Sequence, residues 1–321
     1  MAGIHTILAV VDPSAAAQPC VGKAARLAQA FGARLDLFIC DTSPQLRADR
    51  FYAAEFCEAA ADRARAEHYA QLETLAAPVR DRGVSVTTDI VFRNSLHTGI
   101  VEKVRALRPD LVVKDTHYHG PIRRTFFTNT DWHLIRECPA PLLLTKPVMW
   151  RSVVRLAAAV DPGHADDKPA TLDNELLLIS ERLALALDGD ARAVHVFDTS
   201  PILASAAAIA RTYGGGKTID GSLLESVRLA HQHDLDAVIA QHPNFAGAVD
   251  LIDGAPAEVL PEYAIANAID VMVMGAIARG ALQALLVGRT AERILDRMPC
   301  DILIWKPSRL TAAMQSAPFA A

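Results

Sequence analysis

Thr130-Asp-Trp-His-Leu-Ile-Arg-Glu-Cys-Pro-Ala-Pro-Leu-Leu-Leu-Thr-Lys-Pro147 recurs in altered form as Thr290-Ala-Glu-Arg-Ile-Leu-Asp-Arg-Met-Pro-Cys-Asp-Ile-Leu-Ile-Trp-Lys-Pro307. Thr130 matches Thr290, Pro139 matches Pro299, and Lys146-Pro147 matches Lys306-Pro307, all 160 residues apart. Asp110-Leu-Val-Val-Lys114 resembles Asp270-Val-Met-Val-Met274 at the same offset. Nearer the start, His5-Thr-Ile-Leu-Ala-Val-Val-Asp-Pro13 resembles Val154-Arg-Leu-Ala-Ala-Ala-Val-Asp-Pro162 at an offset of 149. Unrelated apolar strands would not keep order, spacing and end signals together. The chain is therefore read as two copies of one unit, the second longer by a net 11 residues, the difference between the offsets of 160 and 149.

Each copy alternates strand and helix patterns. In the first, Ile7–Val11 is a continuous apolar run, and Ala24, Leu27, Ala28 and Phe31 follow at helical spacing. Leu35–Ile39 reads as a strand, about Phe51 to Arg82 as a long helix, and Val84–Phe92 as a third strand. A helix at Ile100–Leu107, a strand at Leu111–Val113, a helix at Thr130–Glu137 and a strand at Leu142–Leu144 complete the unit. The second copy has strands near Val154–Val160, Ala193–Phe197, Ala246–Ile252, Val271–Met274 and Ile302–Trp305. Apolar strands alternating with helices predict an α/β fold with a parallel sheet covered on both faces. Right-handed crossovers then give two tandem doubly wound five-stranded domains, at 1–148 and 151–308, each with a crevice at the strands' carboxyl ends. Lys146–Arg151 forms a short joint, the copies pack as an internal pseudo-dimer, and the Ala- and Ser-rich tail, 309–321, is expected to be flexible. A further pairing of whole chains stays open. The insertion fits best within Asp198–Gly221, either as a mobile cover for the second crevice or as an ordinary helix and turn.

The 321 residues are 51% hydrophobic and 21% charged, with a net charge of −5. That composition is globular and gives no bulk attraction to nucleic acid or to an anionic membrane. Cys20, Cys40, Cys57, Cys138 and Cys300 are odd in number and show no C-x-x-C spacing, which argues against a disulfide framework or a thiolate zinc site. No stretch near Met1 has the pattern of a signal peptide, and the apolar runs are strand-sized, so a cytoplasmic protein is expected.

The crevice rule directs attention to the residues that follow the strands. Asp12 and Asp161 close the first strand of each copy, each before a proline, as turn residues or as ligand-contacting carboxylates. After the fourth strand of the second copy comes Gly275-Ala-Ile-Ala-Arg-Gly-Ala-Leu-Gln-Ala-Leu-Leu-Val-Gly-Arg-Thr290, leading into a helix. Glycines admit close backbone approach to phosphate, and a helix N-terminus offers free N–H groups.

This segment, with the Thr-Ala-Glu-Arg run at 290–293 and the stretch from Lys114 to His133, resembles the universal stress proteins of the long tandem, E-like class over about residues 3 to 308. The resemblance implies a bacterial stress-response module with the HUP, adenine-nucleotide alpha-hydrolase-like and Rossmann-like architecture, and no catalytic reaction common to the family. The family's loop has Gly, two residues, Gly, nine residues, then Gly-Ser or Gly-Thr around the phosphates of ATP. Gly275 and Gly288 match its outer glycines, Ala278 replaces the middle one, and Arg289 and Thr290 follow. By resemblance, Asp161 and Val196 line the adenine and ribose end of a site for ATP or a related nucleotide, and Gly275, Ala278, Gly288, Arg289 and Thr290 its phosphate end. Asp115, Tyr118 and Thr128 stand at the three glycine positions of the first copy, so any nucleotide is expected in the second copy only. Thr128→Val is then expected to leave binding unchanged.

His117 and His119 alternate on an extended segment, while His231 and His233, two apart on a helix, cannot share one metal. Hydrogen-bonded or solvated histidines and no metal site are expected, and no catalytic set stands out. Two alternatives stay open beside the regulatory module: a slow, metal-assisted ATPase, and a scaffold for a hydrophobic ligand or a protein partner.

Overall fold

The computed structural model describes residues 3–43, 54–116, 118–119, 124–125, 128–163, 171–213, 221–276 and 289–306. Ala278, Gly288, His117 and the tail lie outside the described residues, as does the glycine run at 214–216. The first copy runs β1 (Thr6–Val10), α1 (Pro19–Phe31), β2 (Arg34–Asp41), α2 (Ala54–Arg80), β3 (Val86–Phe92), α3 (Leu96–Leu107) and β4 (Leu111–Asp115). A two-residue pairing of β5 (Tyr118–His119) with β6 (Arg124–Thr125) follows, then α4 (Asn129–Glu137) and β7 (Leu142–Thr145). The second copy runs β8 (Arg155–Val160), α5 (Leu172–Ala186), β9 (Asp190–Phe197), α6 (Ser200–Tyr213), α7 (Gly221–Ile239) and β10 (Val249–Asp253). It closes with α8 (Pro256–Ala266), β11 (Val271–Gly275), α9 (Arg289–Arg297) and β12 (Asp301–Trp305).

The local chemistry explains the ends of these elements. Pro19 opens α1, where its missing N–H costs nothing, and Gly32 closes it at φ 62°, a left-handed conformation suited to glycine. Along the strands, alternate side chains enter opposite layers. Ile7, Ala9, Leu35 and Leu37 pack with α1, α2 and α5, whereas Leu8, Val10 and Phe38 pack with α3 and α4, and Met272 and Ile302 with α8 and α9. Both faces of the sheet are thereby covered, as the continuous apolar strands require.

Within each copy the strands are parallel, in the order β3-β2-β1-β4-β7 and β10-β9-β8-β11-β12. The two orders are the same topology. Instead of two separate sheets, however, there is one of ten strands, because β7 pairs antiparallel with β12. Leu143 lies opposite Leu303, Leu144 opposite Ile302, and Leu142 opposite Ile304. Residues 160 apart thus exchange places across the seam, the signature of an isologous contact about a two-fold axis. The seam also removes two apolar strand edges that would otherwise stand open.

The strand registers place the inserted residues differently from the sequence expectation of one insertion after Asp198. Ile7 and Leu156, at offset 149, lie beside Leu35 and Ala191, at offset 156. Leu37 and Ala193 lie beside Thr88 and Val249, at offset 161, and Leu111 and Val271 return the offset to 160. Seven residues therefore enter between β8 and β9, five between β9 and β10, and one is lost before β11. In the segment singled out as an insertion, Ser200–Tyr213 forms α6.

The seam is reinforced by buried polar groups. Asp301, at the start of β12, accepts from Lys23 Nζ at 2.7 Å, from the Lys146 backbone N–H at 2.7 Å and from Trp150 Nε1 at 2.7 Å. Lys23 comes from α1 and Trp150 from the joint between the copies, so one carboxylate ties three parts of the chain. Lys306 is buried against the C-terminal end of α4, where its ammonium donates to the Leu134 and Cys138 carbonyls. Burial pushes its pKa down to about 8, while the carbonyl end of the helix favours the cation. Cys20, Cys40, Cys138 and Cys300 are free and buried, and burial pushes the Cys300 thiol up to about 12. Among the described residues no helix is long and apolar enough to cross a membrane.

Candidate functional site

The order of the strands reverses direction between β1 and β4, and there a cavity of about 700 Å³ opens in the first copy. Its walls include Val10, Asp12, Asp41, Leu96, Lys114 and Asp115. Each of β1, β2 and β4 therefore delivers a carboxylate to the crevice. Asp12 accepts from the Ser14 N–H at 2.9 Å and the Ser14 hydroxyl at 2.7 Å, the local turn that Asp-Pro favours. Asp41 accepts from the Ser43 N–H at 2.7 Å and faces His68 Nε2 at 2.7 Å. Burial raises the Asp41 pKa, but the hydrogen bonds from His68 and Ser43 outweigh it and hold the carboxyl below the usual range.

The two helix N-termini at this crevice carry carboxylates of the chain itself. Asp115 accepts from the Cys20 N–H at 3.2 Å, in the first turn of α1, and from the Thr145 hydroxyl at 2.6 Å. Asp131 and Thr128 form a reciprocal cap on α4: Thr128 N–H donates to Asp131 at 2.9 Å, and Asp131 N–H donates to Thr128 Oγ1 at 3.3 Å. Lys114 Nζ then reaches Asp131 at 2.8 Å, a buried ion pair from β4 to α4. A phosphate entering here would meet fixed negative charge where free N–H groups would be needed. Thr128→Val, expected from sequence to leave nucleotide binding unchanged, also removes the cap and should cost about 1 kcal/mol of stability, read as a lowered urea midpoint.

The second copy has the same frame and a different charge. Val160 lies beside His195 and Ala159 beside Met274, so Asp161, Val196 and Gly275 come together at the carboxyl edge of β8, β9 and β11. Asp41 corresponds to Phe197, Lys114 to Met274, Asp115 to Gly275 and Asp131 to Ala291. Only Asp161 of the strand-end carboxylates is retained, and its N–H donates to Asp173 of α5 at 3.0 Å. At Gly275 a Cβ would stand 2.6 Å from Leu172 Cδ2, so the missing side chain admits the first turn of α5. Arg289 and Thr290 begin α9. Ala278 and Gly288 are not described.

The histidines resolve into pairs. His195 Nδ1 lies 3.0 Å from the Val160 carbonyl and must donate to it, leaving Nε2 to accept from His231 Nδ1 at 2.9 Å. Phe197 stacks on the His231 ring with centroids 4.7 Å apart. Burial, first, and the charge of His231 lower the His195 pKa, against the Val160 hydrogen bond and Asp161. These are hydrogen-bonded histidines, whereas His233 is exposed beside Asp234. The sequence shows His195 and His231 but not their meeting, which depends on the path of α7. The Asp131 cap was legible in Thr128-x-x-Asp131, a capping-box spacing, and the role of Asp41 was not.

The universal stress protein family model matches residues 3–146 and 165–306. The chain belongs to this family. It is 26% identical over 308 residues to universal stress protein E of Salmonella typhi, covering 96% of each chain. To universal stress protein E of Escherichia coli K12 it is 25% identical over 310 residues, again covering 96% of each. Among solved structures, a functionally unknown protein from Pseudomonas aeruginosa PAO1 matches at TM-score 0.74 and 23% identity, covering 97% of this chain and 96% of the other. A universal stress protein from Archaeoglobus fulgidus matches at TM-score 0.64 and 11% identity, covering 94% and 98%. These likenesses establish a tandem universal stress protein fold along nearly the whole chain.

Proposed function

We propose that this universal stress protein is a cytoplasmic regulatory module whose second crevice takes ATP or a related nucleotide. The observation that carries this reading is the difference in charge between two crevices of one topology. Where the first copy places Asp41, Asp115 and Asp131, the second has Phe197, Gly275 and Ala291, and the start of α9 carries no carboxylate at the matching position. Asp161 and Val196 would face the adenine and ribose. Gly275, Ala278, Gly288, Arg289 and Thr290 would face the phosphates, with Arg289 as a guanidinium donor. The first crevice, acidic and walled by Val10, Pro13, Ala15 and Leu96, favours a ligand without phosphate.

Calorimetric titration of the full chain with ATP tests this. One site per chain is expected, weakened by roughly 1–3 kcal/mol in Asp161→Ala, the scale of an unpaired buried polar partner. No binding, or two equivalent sites, would overturn it. Steady phosphate release above background would make the same site a slow ATPase.

A further inference from the structure

In each copy a histidine ties the helix that leads into the third strand to the carboxyl end of the second strand. The two ties have opposite chemistry. In the first copy His68 of α2 meets the Asp41 carboxylate, with Nε2 at 2.7 Å. In the second, His231 of α7 donates to His195 of β9 at 2.9 Å and stacks on Phe197, the counterpart of Asp41. We propose that the second tie is an acid-released latch: protons taken up by the His195–His231 pair detach α7 from β9, while acid leaves α2 fastened in the first copy.

The positions of the protons define the latch. The Val160 carbonyl can only accept, so His195 keeps its proton on Nδ1, and its Nε2 accepts from His231 Nδ1–H. One added proton goes to His231 Nε2 and leaves this bond intact. A second must go to His195 Nε2, which turns the acceptor into a donor and sets two cations side by side, ring centroids 5.1 Å apart. His195 is buried at the position where the first copy has the core residue Ile39, so its cation would be formed away from water. Burial, first, and the charge of His231 therefore hold its pKa below the usual range. The Val160 hydrogen bond, Asp161 at 4.0 Å from Nδ1 and Asp173 of α5 oppose this. On α7 itself Arg228 and Asp234 stand three residues to either side of His231, and Asp234 faces exposed His233 at 3.7 Å. A base whose pKa is lowered in the closed form stabilises that form above its ordinary value of about 6.5, and the contribution is lost as pH falls below it. Little else holds this part of α7: Leu235 is its one fully buried residue, and Leu223 and Leu229 are exposed. In the first copy α2 buries Leu72, Ala76 and Val79. There a proton added to His68 keeps its bond and adds charge attraction. Burial raises the Asp41 pKa, but the hydrogen bonds from His68 and Ser43 hold it below the usual carboxylate range.

Amide hydrogen exchange of the full chain, read by mass spectrometry from about pH 8 to about pH 5 and corrected for the intrinsic exchange rate, tests the latch. The opening constant of α7 amides at 221–232 should stay level above about pH 6.5 and rise below it, approaching roughly tenfold per pH unit for one linked proton. Amides of α2 around His68 should not open further over the same range. His195→Ile, which supplies the residue of the first copy, should make α7 opening independent of pH. His233→Ala, at an exposed histidine two residues from His231, should keep the dependence of the parent. Level α7 opening in the parent, acid opening retained in His195→Ile, or parallel opening of α2 and α7 would overturn the proposal. No nucleotide is present in the assay, so its result is independent of the function proposed above.

Discussion

Asp301→Ala is expected to destabilise the fold by about 3–5 kcal/mol, the loss measured when one partner of a buried ion pair is removed. The carboxylate is almost wholly buried and accepts from Lys23, from the Lys146 backbone and from Trp150. Its removal would leave the Lys23 ammonium buried, with, among the described residues, only the Lys146 carbonyl at 2.8 Å as a hydrogen-bond partner and the Trp150 ring 5.7 Å away. Lys23→Met changes the other side and is milder if the apolar chain fills the space, since a carboxylate with remaining N–H donors tolerates the loss better. Urea unfolding of the parent and both variants reads the two effects. A loss below about 1 kcal/mol in Asp301→Ala would mean that water or a rearranged Lys23 replaces the carboxylate, and that the seam rests on β7 and β12 alone.

The repeat makes most of this architecture legible in the sequence. Ten strands and the carboxyl-edge crevices follow from runs such as Ile7–Val11 and Leu142–Leu144, because a strand buried on both faces needs a continuous apolar segment. What could not be read is where chain segments distant in sequence meet. The joining of β7 to β12 into one sheet depends on two edges finding each other, and the meeting of His195 with His231 depends on the path of α7. The division of the inserted residues is not legible in sequence because a net length difference says nothing of how it is split, and only the strand registers show seven in the β8–β9 connection and five in the β9–β10 connection. At the crevices, glycine loss in the first copy was visible. The carboxylate that fills the N-terminus of α1 is not legible, because Asp115 reaches it from 95 residues away.

Ala291→Asp is expected to abolish nucleotide binding in the second copy while leaving the protein at least as stable as the parent. Ala291 is the third residue of α9, the counterpart of Asp131 on α4, and Gly288 precedes α9 where Thr128 precedes α4. An aspartate there would accept from the N–H of the residue preceding the helix, as Asp131 does from Thr128, and gain about 0.3–1 kcal/mol from the helix dipole. A nucleotide phosphate would then face a carboxylate instead of free donors. Like charges brought together in a contact cost several kcal/mol, roughly a hundredfold or more in affinity. Calorimetry with ATP and a thermal melt on the same sample read the two changes together. Their opposite signs are the point, because a variant that merely misfolds would lose both binding and stability. Undiminished ATP affinity in stable Ala291→Asp would place the phosphates away from α9, and the charge difference between the crevices would then need another explanation.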